Sequence, residues 1–176
     1  MKLAVYTITA LAFATALAVA SPARADERQV SGTSLNTSAE SHFIPFAGDP
    51  THGYGIEKRI GAVTSPGWFD VVQEIVVLSS EVDLKQGRAG VKGSLFWKNA
   101  DGTLISSIVG KAAFTMDEKT NAPKGTAEGT IEFIGGTGHF ANVHGRGTWK
   151  SESSGGTDTV HWSGTITGFE KQASAQ

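Results

Sequence analysis

The stretch Gly135-Gly136-Thr137-Gly138-His139-Phe140-Ala141-Asn142-Val143-His144-Gly145-Arg146-Gly147 limits the possible folds of this chain more than any other. It holds five glycines and one phenylalanine, and it separates two runs that alternate as strands do, residues 129–134 and 147–152. Glycine takes positive φ at no steric penalty and lets two backbones come close. The spacing therefore predicts a compact turn built on Gly135, Gly136, Gly138 and Gly145 and pinned by one buried aromatic, Phe140. A phosphate-binding glycine loop is a different object, because it opens a helix inside a βαβ unit. Here the chain runs on through Thr148-Trp149-Lys150-Ser151, which reads as a strand.

The 25 residues at the start read as an address rather than as structure. Lys2 gives a positive start, residues 3–20 an apolar body and Ala23-Arg24-Ala25 a small-x-small cleavage signal. A membrane anchor is the rival reading, but Tyr6, Thr7, Thr9 and Thr15 dilute the apolar body and the cleavage signal follows at once. Cleavage is expected after Ala25, delivering a soluble protein to the periplasm or the medium. It leaves 151 of the 176 residues, enough for one domain, and the loss of Lys2 and Arg24 takes the net charge from -2 to -4. Neither charge suits a nucleic-acid or anionic-membrane partner, which calls for clustered Lys and Arg. With no Cys, the domain has neither disulfides nor a thiol nucleophile and is held by burial and hydrogen bonding alone.

All 22 glycines follow the signal segment, a density about twice the average of roughly 7%. Such a chain reads as all-β. Residues 26–41 are polar and lack a sustained period, so they are expected to form a flexible N-terminal arm. The barrel domain is expected over 42–170, followed by a polar tail at 171–176. Within it, Pro45, Pro50 and Pro66 break the early part, leaving one strand expected near 56–63. Residues 69–79 are the most apolar run, and their β-branched content predicts a strand covered on both faces, with a short helix as the alternative. Residues 90–98 and 103–114 flank Asn99-Ala100-Asp101-Gly102, a hairpin signal. The last strand, 157–169, alternates most clearly: Val160, Trp162, Gly164, Ile166 and Gly168 against His161, Ser163, Thr165 and Thr167. Seven or eight strands without a long helix leave a sandwich or a closed barrel. Closure removes both edges, and eight strands enclose room for one small ligand.

Residues 130–145 resemble the strand, Gly-Gly-Thr/Ser-Gly-x-Phe, x-x-x-x-Gly element shared by allene oxide cyclases and dirigent proteins. Residues 159–169 are similar in place and pattern to the last strand of those families. Agreement covers residues 101–169, while 26–68 match only loosely. The resemblance implies a closed antiparallel eight-stranded β-barrel of allene-oxide-cyclase-like type, in families that are often trimeric, so a homo-trimer is an implied partner state. It also implies an apolar lumen and chemistry without a cofactor, either ring closure of an epoxide or orientation of phenoxy radicals. No catalytic residue is carried over, because those of the families lie mainly on early strands where this sequence diverges.

Candidate residues follow from chemistry. Glu74 sits inside the apolar run and is the best candidate for a lumen-facing acid whose pKa burial would raise, against the alternative of an ordinary paired Glu outside. His161 would act as an acid or base if its face lined the lumen; the alternative is a solvated face, since Trp162 and Ile166 suit the buried side. Arg146, beside the glycine turn, is a candidate to bind a ligand carboxylate. Trp97, Trp149 and Phe133 are candidates to line a pocket, though core packing also accounts for them. His139 and His144 lack the spacing of a zinc site, so no metal is expected. Ser/His/Asp catalysis has no G-x-S-x-G elbow.

The expected function is binding of a small apolar or aromatic molecule in the lumen without a cofactor. The alternatives are a cofactor-free cyclase, isomerase or coupling guide, and an envelope or interaction module with a filled barrel. Mass spectrometry of the exported protein is expected to give a chain beginning at Asp26; an intact Met1 start in the exported fraction would count against the signal peptide.

Overall fold

The structure, a computed structural model, describes residues 27–118 and 123–169; the expected signal peptide and C-terminal tail lie outside the described residues. Eight strands follow in order: β1 (Arg28–Phe46), β2 (Asp49–Ser65), β3 (Phe69–Asp83), β4 (Arg88–Asn99), β5 (Gly102–Met116), β6 (Pro123–Gly136), β7 (His144–Ser154) and β8 (Thr157–Thr167). Each pairs antiparallel with the next, and β1 pairs with β8 from Arg28↔Ile166 to Thr37↔Thr157, closing the barrel. Among the described residues no helix is long and apolar enough to cross a membrane.

Two expectations need correction. The segment at 26–41 is not a flexible arm, because from Arg28 onward it belongs to β1, the strand that closes the barrel. Its inward side holds Val30, Gly32, Ser34 and Asn36, which are small or polar, so no apolar period marks it as a strand. The run at 69–79 is a strand, but only one of its faces is covered. Val72, Glu74 and Val76 point inward and are buried, while Val71 is 69% exposed and Val77 also faces out.

The β4–β5 hairpin turns at Ala100-Asp101 as its sequence predicts. The glycine-rich corner after β6 packs onto that turn. His139 N–H donates to the Asp101 carbonyl at 3.1 Å and Thr137 N–H to the Thr103 carbonyl at 2.9 Å. Gly138, with φ 58°, starts a single 3-10 turn (Gly138–Phe140), and a Cβ on it would run into the Asp101 carbonyl oxygen. The corner delivers Phe140 and Val143 into the core.

Phe140 joins a cluster of aromatics that stoppers one end of the barrel. Trp68, between β2 and β3, meets Trp97, Phe133, Phe140, Trp162 and Phe169 edge-on, with ring centroids 5.9–6.3 Å apart, a favourable arrangement for aromatic quadrupoles. The other half of the lumen is not filled in this way. There a β-bulge between Ser38 and Glu40 shifts the register of β1, so that Ser41 and Phe43 face the lumen beside Glu57 and Gly55.

Outside, the barrel has two characters. A cross-strand row of apolar residues, Ile60, Ile75, Phe96 and Ile105, runs over β2–β5. Apart from Ile134, the outer positions of β6–β8 are mostly polar or charged, among them Glu128, Glu132, Arg146, Lys150 and His161.

Deleting residues 26–41 is expected to abolish the cooperative thermal transition followed by circular dichroism, because β8 loses every pair with β1 and β2 most of its own, which reopens the barrel. A dispensable arm would leave the transition unchanged.

Candidate ligand-binding site

The inner wall can be followed along one row of paired residues: Asp158 (β8), Asn36 (β1), Gly61 (β2), Glu74 (β3), Trp97 (β4) and Leu104 (β5). Asn36 and Glu74 are thus separated by a whole strand, yet the Asn36 amide Nδ2 donates to Glu74 Oε2 at 2.8 Å. Gly61 makes this possible. A Cβ at that position would run into Asn36 Oδ1 and the Leu35 carbonyl oxygen, so the amide crosses the strand only where no side chain stands. On the other side Trp97 Nε1 donates to Glu74 Oε1 at 2.6 Å.

Glu74 is 1% exposed. Burial pushes its carboxyl above the ordinary glutamate value of 4.5, because the anion loses its hydration. Hydrogen bonds from Trp97 and Asn36 work the other way and offset part of that rise. The nearby Ser34 hydroxyl also favours the anion slightly, although it lies outside good hydrogen-bond geometry.

Above this row lies a cavity of about 520 Å³, within the range of about 300–1,000 Å³ typical of small-molecule sites. Its wall is divided. Val76, Leu78, Val91, Leu95, Ile108, Ile131 and Trp149 form an apolar side, carried by β3–β7. Ser34, Asn36, Arg59, Ser151 and Asp158 form a polar side, mainly from β1, β2 and β8. Arg59 reaches across β1 to pair with Asp158, and its other amino group meets Glu57 at 2.9 Å. The Ser153 hydroxyl donates to the same Asp158 carboxylate.

The structure sorts the sequence candidates cleanly. Glu74, Trp97 and Trp149 line the cavity. Trp149 sits over Gly110 and donates from Nε1 to the Thr130 carbonyl at 3.0 Å. Phe133 is buried in the aromatic stopper beside Trp97 and Trp162 and does not line the cavity. His161 is not in the lumen. Period-2 alternation turns Trp162 and Ile166 inward, which leaves His161 exposed on the outer face, its Nδ1 3.1 Å from the Thr33 hydroxyl. Arg146 is also outside, opposite Glu132 and Thr165, because Gly145, Gly147 and Trp149 take the inward positions of β7. Neither can touch a guest in the lumen.

Sequence reasoning missed Asn36, Arg59 and Asp158. Asn36 lay in the segment read as an arm. Arg59 and Asp158 are charged residues on inward positions, where an apolar pattern is the signal sought; only the strand register could have placed them.

Between the ordinary glutamate value and the raised value of Glu74, the native state binds one more proton than the unfolded chain. Stability contributed at this site is full below 4.5 and falls as pH rises through the raised value, with a slope of up to about 1.4 kcal/mol per pH unit. Glu74→Gln cannot ionise, so urea titrations from acid to mildly alkaline pH are expected to show the variant gaining on the wild type as pH rises. Parallel curves would contradict a buried, raised Glu74.

Compared with known proteins, the chain matches no family model, no curated protein and no solved structure.

Proposed function

We propose that this chain is an exported β-barrel protein that binds a small apolar or aromatic molecule in its lumen without a cofactor. The observation that carries the reading is the cavity of about 520 Å³, stoppered at one end by the Trp68 cluster and walled on one side by aliphatic side chains. A barrel that served only as a filled scaffold would continue the aromatic packing through both halves. Assignment to an allene-oxide-cyclase-like family rests on residues 130–145 and 159–169, and export rests on residues 1–25.

Cofactor-free cyclisation or isomerisation is the second reading, favoured by one observation: a carboxyl whose pKa is raised by burial stands at the cavity floor, the kind of group such chemistry would use. Both Glu74 oxygens, however, already accept hydrogen bonds, from Trp97 and Asn36, and the residue is almost wholly covered. Binding therefore comes first. Self-association, including the trimer that the resemblance implies, is supported by the outward row Ile60, Ile75, Phe96 and Ile105, since exposed apolar patches commonly mark interfaces.

Native mass spectrometry of protein purified from its own host is expected to report both a retained apolar guest and more than one copy per particle. In vitro, the uncharged fluorophore N-phenyl-1-naphthylamine is expected to bind the wild type. Ala127→Trp, which places an indole in the cavity, is expected to weaken that binding at least tenfold while the circular dichroism spectrum is kept. Equal binding by the two proteins would place the probe elsewhere and reject the lumen as the site.

A further inference from the structure

The charges on the cavity wall carry a consequence for which guests enter. Among the described residues lining the cavity, Arg59 is the only Lys or Arg. Its guanidinium is held between two carboxylates, Asp158 and Glu57. A third carboxyl, Glu74, lies in the same wall. The rim adds His42 but no further cation. A guest carboxylate entering this space would thus face Asp158 and Glu57 at the only guanidinium, or Glu74 at the floor. It would also give up its own hydration to do so, which is unfavourable without a free counter-charge.

An uncharged polar group meets a different wall. Ser34 Oγ and Asn36 Oδ1 beside Glu74, and the donors Arg59 Nε and Trp162 Nε1 on the same lining, are buried without hydrogen-bond partners. Buried polar atoms left unpaired are rare and unfavourable, so a head group that donates and accepts one bond each is suited to them. A hydroxyl does both and carries no charge. The aliphatic side of the cavity, from Val76 to Ile131, suits the apolar body of the same molecule.

We propose that the lumen is selective for uncharged apolar molecules with a hydroxyl head group and discriminates against carboxylates of the same size. This rests on the lumen-binding reading and names the class of guest it takes. The aliphatic wall supplies affinity, and the carboxyl-rich wall supplies the discrimination. The raised carboxyl of Glu74 fits the same picture, since a floor that disfavours its own anion disfavours a second one beside it.

The test is competition against bound N-phenyl-1-naphthylamine by 1-dodecanol and by dodecanoate, both below their aggregation limits, at a pH where dodecanoate is ionised. Dodecanol is expected to displace the probe at a concentration at least tenfold lower than dodecanoate. The hydration of dodecanoate alone contributes to such a gap, so the decisive measurement is its change in Asp158→Asn. That variant leaves Arg59 with one carboxylate instead of two, and it is expected to narrow the gap at least threefold by improving dodecanoate. Where Asp158→Asn fails to fold, Glu57→Gln makes the same change from the other side of Arg59. Dodecanoate competing as well as dodecanol in the wild type would overturn the proposal, and so would an unchanged gap in a folded variant. Failure of the probe itself to bind would reject lumen binding altogether, an outcome distinct from loss of discrimination.

Discussion

The ten backbone pairs joining β1 to β8, from Arg28↔Ile166 to Thr37↔Thr157, turn a meander into a barrel, and the rest of the molecule depends on them. An open eight-stranded sheet would leave two rows of unpaired N–H and C=O groups and one large apolar face turned to water. Closure satisfies both edges at once and wraps that face around itself. It also brings Asp158 on β8 beside Asn36 on β1, and lets Arg59 on β2 reach Asp158 across the strand between them. The polar side of the lumen is thus a product of the seam.

The two halves of the interior are built differently. At the Trp68 end, rings pack against rings and exclude any guest. Toward the other end the inward positions of β1 and β2 are Ser34, Asn36, Gly61 and Arg59, too small or too polar to complete an apolar core. Glycine is used there with a particular effect: Gly61 leaves the gap through which the Asn36 amide reaches Glu74. A larger residue would both strain the β1–β2 pairing and detach the carboxyl from one of its two donors. Backbone closeness and the electrostatics of the cavity floor are therefore set by the same position.

How far the sequence could be read depended on which face of each strand carried the apolar residues. The Asp101-Gly102 hairpin, the glycine-rich corner and the alternation of Val160, Trp162 and Ile166 were legible because local turn chemistry and period 2 agreed with the final register. Glu74 was legible as a candidate acid because it sits inside the apolar run 69–79, but its direction was not, since Val71, Ile75 and Val77 make the opposite face as apolar as Val72 and Val76 make its own. β1 was not legible, since its buried side is Val30, Gly32, Ser34 and Asn36, and the partners with which it closes the barrel are over a hundred residues away on β8. His161 and Arg146 differ in how visible their outward direction is: Trp162 and Ile166 mark the inward side of β8 and so point His161 outward, whereas Arg146 is flanked by Gly145 and Gly147, which carry no apolar signal. The charged lumen residues Arg59 and Asp158 become intelligible only as a pair, which no local window of sequence contains.

The aromatic stopper gives the molecule an optical property. All four tryptophans of the chain, at 68, 97, 149 and 162, lie in the stopper or along the lumen, and none is on the outer surface. Trp97 and Trp162 lie with ring centroids 4.7 Å apart, inclined at 32°, close enough for their electronic transitions to couple. Their combined near-ultraviolet dichroism and emission thus report on the interior rather than the exterior. The barrel carries its own spectroscopic gauge of whatever occupies its hollow, with no dye attached.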